Sequence, residues 1–203
     1  MITVHRAAQR FRTGQPGITT WHSFSSGAHY DPDNVAFGPV IACDEHLVAP
    51  GTGFGRHRHA RVELVSWVIE GELRHEDDAG RAHGVAPGTA QYQLAGTGTG
   101  IEHVERNASD SAPLRFVQLW LLADADEPAY AVEEPPMSLR HGTFDVLRGP
   151  ATVPAAPCVH LYVATGGFEV AGAALTAGDS VRAASQVVTV TGSGQLLVVR
   201  VEA

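Results

Sequence analysis

The chain has 203 residues, 44% of them hydrophobic and 18% charged, with a formal net charge of −8. That length can bury a good core as one large domain or two small ones, and the acidic balance excludes a general affinity for nucleic acid or anionic membrane. All 14 basic residues are arginine, which excludes Schiff-base chemistry and a lysine general base and leaves the chemistry to His, Asp, Glu or a metal.

The N-terminus, MITVHRAAQRF, lacks an apolar signal core, and no apolar run approaches the roughly 20 residues needed to cross a bilayer. A cytoplasmic protein is expected. Helical periodicity is scarce, because 22 Gly and 12 Pro are scattered along the chain and break most helices. Ser23, Ser25 and Ser26 lie near His22 but have no glycine-flanked nucleophile elbow, so a hydrolase triad is not expected. A glycine-dense turn, Gly51-Thr-Gly-Phe-Gly55, leads into His57-Arg-His59, and Val62 to Ile69 continues as a strand. Glu76-Asp-Asp-Ala-Gly80 reads as a hairpin tip. A second glycine turn, Gly96-Thr-Gly-Thr-Gly100, leads into His103-Val-Glu105; without a following Lys and helix it is no phosphate loop. Leu114 to Leu122, Val159 to Ala164, Val187 to Thr191 and Gln195 to Val201 are further strand-like runs. Many short strands with frequent turns predict an all-β sandwich or barrel. The acidic, proline-rich stretch Ala123 to Met137 reads as solvated connector. Cys43 and Cys158 are too few for a disulfide framework and are read as buried free thiols.

On a strand, residues i and i+2 share a face. His57 and His59 therefore project together, and so do His103 and Glu105. Two such strands side by side bring three imidazoles and a carboxylate around one point, a set suited to a divalent transition metal rather than calcium or magnesium. The remaining histidines show less. His75 is read as structural or exposed; His5, His22, His29, His46, His83 and His141 show no ligand pattern. Cys158-Val-His160 has the i, i+2 spacing, but no second pair answers it.

Gly51, five residues, His57-Arg-His59 and a Glu shortly after resemble the first cupin motif. The general pattern places its ligand Glu at position 64, which is Leu64 here, and Glu63 stands one residue early. That departure, followed by Val-Ile-Glu70-Gly71-Glu-Leu-Arg-His75 and by Gly98-Thr-Gly-Ile-Glu-His103-Val-Glu105, resembles the pirin family. Tyr30-Asp-Pro-Asp-Asn34 and Phe37-Gly-Pro39 resemble that family's stretch ahead of the site, and Val104 departs from it where a Ser is usual. The resemblance runs from about Trp21 to Trp120 and is weak beyond Met137. It implies two cupin-type, jelly-roll-like β-barrels packed face to face, the C-terminal one reduced. Residues 1–122 would be the metal-binding domain, 123–137 a linker and 138–203 a degenerate domain without metal. It also implies that His57, His59, His103 and Glu105 hold the metal, Glu105 supplying the carboxylate that Leu64 lacks. Glu63, if the strand has no bulge, keeps the parity of His57 and His59; it is expected behind the site, holding an imidazole N–H or a water.

Three neutral imidazoles and one carboxylate leave a divalent ion with a net charge near +1 and about two open positions for water, substrate or dioxygen. Iron(II) is favoured, with zinc, nickel, cobalt, manganese or copper as alternatives. Glu105 is also the candidate catalytic base. The resemblance implies a quercetin 2,3-dioxygenase-like activity on a small aromatic substrate. The alternative is a non-catalytic, redox-sensitive regulator that binds a partner protein, with the acidic Asp124 to Glu134 stretch as a contact. A monomer or weak homodimer is expected. A sugar isomerase or epimerase would need a pocket richer in polar groups than Phe37, Val65, Trp67 and Leu94 provide.

Overall fold

The computed structural model describes residues 1–202 and is almost entirely β-structure, with short 3-10 turns at Ala7–Gln9 and Pro32–Asn34. One antiparallel sheet runs in the order Ala129–Glu133, Ala90–Leu94, Val62–Glu70, Leu114–Leu122, Val40–Val48, Ile18–His22, Phe11–Gln15. A four-stranded sheet, Gly53–His59, Ile101–Asn107, Leu73–Asp77, Ala82–Val85, completes the N-terminal barrel. A third sheet takes the strands between Met137 and Val201, the longest being Cys158–Val170 and Val188–Val201, and forms the C-terminal barrel.

Strand alternation gives the large sheet two chemically different faces. His22, Asp44, Gln118, Ser66 and Gln91 stand directly opposite one another across five strands, so they form one polar row on the face inside the N-terminal barrel. The residues between them, including Cys43, Val65, Trp67, Val117 and Leu119, face the other way. They pack with Phe144, Tyr162, Leu197 and Val199 of the C-terminal barrel into a shared apolar core. Two smaller apolar clusters close the N-terminal barrel above and below its polar row. One holds Leu64, Ala95 and Ile101; the other holds Val68, Leu73, Leu114 and Phe116. Burial at these places, at about 25 cal/mol per Å² of apolar surface, holds the barrel around a polar middle.

The barrels are also tied by a buried charge cluster. Glu45 accepts from Arg10 (2.8 Å) and Arg115 (2.7 Å) and from the Tyr162 hydroxyl across the interface. Both cysteines are free, Cys43 buried and Cys158 half-buried. Among the described residues, no helix is long and apolar enough to cross a membrane.

The division at residues 1–122, 123–137 and 138–203 needs correction at two places. Ile2–His5 pairs with Ser180–Ala183 and so belongs to the C-terminal sheet. Within the expected linker, Ala129–Glu133 is an edge strand paired with Ala90–Leu94. Pro128, Glu133 and Glu134 hide it in the sequence, yet charge and proline are what an edge strand tolerates and uses against further pairing.

Candidate metal centre

The strand Gly53–His59 pairs with Ile101–Asn107 through His57 opposite His103 and Phe54 opposite Glu105. Three residues on one strand thus span two on the other, which is a β-bulge, and it turns Phe54 and His57 to the same interior. Gly100, at φ +73°, lets the second strand lie against the first, where a Cβ would press on the His59 carbonyl.

The bulge brings His57 Nε2 to 2.9 Å from His103 Nε2. The ring centroids of His57, His59 and His103 stand 4.4–4.9 Å apart, each pair edge-on. Their ligand-capable nitrogens lie within 4.8 Å of one another. His57 Nδ1 is 2.7 Å from the Gly55 carbonyl oxygen, an acceptor only, so Nδ1 carries a proton and Nε2 is the ring atom left to serve as a ligand. His59 Nε2 is buried with no hydrogen-bond partner among the described residues. His57 Nε2 and His103 Nε2, 2.9 Å apart, match the spacing of adjacent ligands of one ion, which at Zn–N lengths stand about 3 Å apart. The residues therefore fit a divalent transition metal. Burial, followed by the neighbouring imidazoles, lowers the pKa of His59 to about 4 and that of His103 to about 3, so both rings are neutral and able to donate lone pairs at neutral pH.

Glu105, 2% exposed, places Oε2 4.0 Å from His103 Nε2. It closes a second group with His103 and His75, whose ligand-capable atoms again lie within 4.8 Å of one another. The carboxylate accepts from the Gln118 amide at 3.0 and 3.1 Å, with Gln91 Nε2 at 3.4 Å. Glutamines on a predicted strand gave no signal in the sequence. Their part is legible only once register sets them opposite Ser66 and beneath Glu105.

His75 is not exposed: its side chain is fully buried, with Nε2 3.4 Å from Asp77 Oδ2. Its ring stacks on Tyr130 (4.8 Å between centroids), and Tyr130 stacks on His83 (5.2 Å). Glu63 lies elsewhere than expected. Its Oε2 accepts from the Tyr92 hydroxyl (3.1 Å) and from Arg140 N (2.9 Å) at the barrel interface, and among the described residues it bonds no imidazole. The reason is Arg61, whose left-handed φ of 59° interrupts the strand between His59 and Val62 and resets the alternation.

A cavity of about 590 Å³ opens beside the cluster. Ile18, Phe54 and Trp120 supply its apolar wall, with Thr13, Thr20, His22, Asp44, His46 and Gln118 as polar lining, and His57 and Glu105 reach its floor. Phe37, Val65 and Trp67, expected around the pocket, pack in the inter-barrel core instead; Leu94 stands opposite Glu63 on that same face. The wall is therefore more polar than the sequence promised. His22 Nε2 lies 2.8 Å from Thr13 Oγ1, and its Nδ1 is 3.0 Å from Asp44 Oδ2, close enough for a charge pair but off the line of a hydrogen bond.

Known proteins resemble this chain in sequence and in fold. The profile of the family described as Pirin matches residues 4–121. A Mycobacterium tuberculosis protein, named provisionally as a quercetin 2,3-dioxygenase, is 36% identical over 211 residues, spanning 89% of this chain and 86% of its own. The quercetin 2,3-dioxygenase of Escherichia coli K12 is 32% identical over 124 residues, 61% of this chain and 53% of that one. Among solved structures, the bacterial pirin YhhW of Escherichia coli in complex with nickel(II) superposes with a TM-score of 0.87 at 23% identity, covering 100% of both chains.

Proposed function

This chain belongs to the pirin family of the cupin superfamily, and from that premise we propose that it is a metal-dependent dioxygenase acting on flavonol-like or related aromatic enediol substrates. The observation that carries the reading is a cluster of three converging imidazoles, of which His57 lines a cavity large enough for a small aromatic molecule. Pockets of about 300–1,000 Å³ take ligands of that size. The relatives named for quercetin dioxygenation supply the substrate class.

His57, His59, His103 and Glu105 would hold the ion, iron(II) first among zinc, nickel, cobalt, manganese and copper. A bound redox-active ion supplies Lewis acidity toward an enediol and access to oxygen chemistry. The chain's own residues do the rest. Phe54 and Trp120 offer faces and edges for a planar ring. Thr13, Thr20 and Asp44 offer partners to hydroxyl groups along the opposite wall. Glu105, at the cavity floor, accepts the hydroxyl proton that an enediol must lose. Replacement of water by a ring against Trp120 strengthens each of these polar contacts.

The test is direct. The protein is loaded anaerobically with iron, cobalt, nickel, manganese and copper in turn, then mixed with quercetin and oxygen, and the flavonol absorbance is followed. Metal-dependent loss of the band is expected. No loss with any of these metals sinks the flavonol activity and leaves the redox-sensitive partner-binding reading in its place.

A further inference from the structure

We infer that Trp120 and Gln118 are a positioning pair that fixes the Glu105 carboxylate, the Trp120 N–H reaching Glu105 only through Gln118. The inference rests on the reading of Glu105 as a metal ligand and adds the residues that aim it. It begins with a question of orientation, since the two ends of a carboxamide are nearly alike in shape. Trp120 Nε1 lies 2.7 Å from Gln118 Oε1. An indole N–H can only donate, so the Gln118 atom facing it must be the oxygen. The nitrogen is then committed to the other side.

There it meets Glu105 Oε1 at 3.0 Å and Oε2 at 3.1 Å, and Ser66 Oγ at 3.0 Å. One N–H bridges the carboxylate and the other reaches the serine, so both amide protons are used. The register makes this a built arrangement. Gln118 stands directly opposite Ser66, and Trp120, two residues on, shares its face. A flipped amide would set its oxygen against the carboxylate and strand the indole N–H, two penalties for one rotation. Gln118 is 4% exposed, so water offers little relief.

Trp120 also touches the other side of the site. Its ring meets the His59 ring edge-on at 4.6 Å and 84°, and it lines the cavity. Trp120→Phe therefore keeps an aromatic edge on His59 while removing only the N–H. Gln118→Leu keeps bulk and removes the donor to Glu105.

Cobalt(II) is titrated into metal-free protein, with affinity from chelator competition and coordination from the visible absorption band, for the parent chain, Trp120→Phe, Gln118→Leu and the double variant. Calorimetric melting of the metal-free forms establishes that each is folded. Supporting contacts behind metal ligands are worth about 10–100-fold in affinity. Gln118→Leu should fall in that range. Trp120→Phe should weaken binding by roughly 3–10-fold and change the band, a smaller share of the same effect. The double variant should bind no more weakly than Gln118→Leu alone. A Trp120→Phe variant with unchanged affinity and band, or a double variant whose effects multiply, overturns the pair. If the Gln118 variants fail to fold, Trp120→Phe alone still decides. Failure of the parent chain to bind cobalt(II) overturns the metal reading itself, an outcome distinct from the others.

Discussion

Where the C-terminal barrel fills its interior with Val159, Leu161, Val163, Phe168, Val170, Val181 and Leu196, the N-terminal barrel buries His59, Ser66, His75, Gln91, Gln93, His103, Glu105 and Gln118. The two share a barrel plan, and one apolar interface joins them. The hydrocarbon interior stabilises by burial and leaves no group to react. The polar interior gives up that stabilisation across its middle and leaves orphaned atoms, among them His59 Nε2, His75 Nδ1, His103 Nδ1 and both amide atoms of Gln93. Such a middle persists because apolar clusters close it on two sides and the second barrel is packed against its outer face. The C-terminal barrel thus acts as the buttress of a site it does not line.

The sharpest way to break this contrast is to remove one imidazole from each barrel. His103 faces His57 at 2.9 Å and packs against His59 and His75, so His103→Ala should lower metal affinity about a hundred- to a thousandfold, its share of a typical site's binding energy. His160, 1% exposed in the other barrel, should give an Ala variant that still binds one metal per folded chain. Metal content after gel filtration reads both; equal loss from the two variants would end the claim that only one barrel is functional. The reverse experiment cuts the buttress. Leu161, fully buried, should cost about 2–5 kcal/mol on truncation to Ala, seen in urea unfolding, with metal occupancy of the folded fraction unchanged.

Proton uptake sharpens the comparison next. His59 and His103 titrate near 4 and 3 in the fold, against about 6.5 in the unfolded chain. Below pH 6.5 the unfolded state takes up protons that the folded state refuses. Stability of the metal-free protein is thus full above 6.5 and falls as pH drops from there toward 4, by up to about 1.4 kcal/mol per pH unit for each histidine. Burial lowers His160 to about 3 as well, so His160→Gln should flatten the metal-free slope by a similar amount. Only His103→Gln should also abolish the stability gained on adding metal. Denaturant midpoints from pH 7.5 to 4.5, with and without cobalt(II), check this; a steeper slope in either variant would reverse the sign argued here. A gentler change, Gln93→Leu, replaces a buried amide whose two polar atoms have no partner among the described residues. It should raise metal-free stability by about 1 kcal/mol, and a loss of that size would show that Gln93 is satisfied after all.

The all-β character was legible in the sequence because Gly, Pro and short Val-rich runs are local signals; the plan of two barrels came from the resemblance to pirins. So were His57, His59, His103 and Glu105 as candidates, because i, i+2 spacing is a local property of a strand. What lay outside the sequence was register. Gln118 and Gln91 support Glu105 only because cross-strand pairing sets them beneath it, and His75 enters the site only because it stands opposite Glu105. The edge strand Ala129–Glu133 was masked by its acidic flanks, and Ile2–His5 crosses to a sheet that begins more than a hundred residues later. The positive φ at Arg61 undid the parity argument for Glu63, and no local pattern announces it.

Glu63 therefore offers the smallest and most discriminating effect. Its carboxylate is 1% exposed, and burial raises its pKa while the Arg140 amide and Tyr92 hydroxyl oppose the rise. Both contacts fall on the same oxygen, Oε2. In Glu63→Gln the amide oxygen can accept both, and the buried charge is gone. Stability should change by no more than about 1 kcal/mol. Metal affinity should not change, because the residue faces the inter-barrel side of its sheet. A glutamate that held a ligand imidazole would cost about 10–100-fold on the same substitution. A loss in that range, measured by the same chelator competition, would return Glu63 to the metal site and show that the interruption at Arg61 does not separate the two faces.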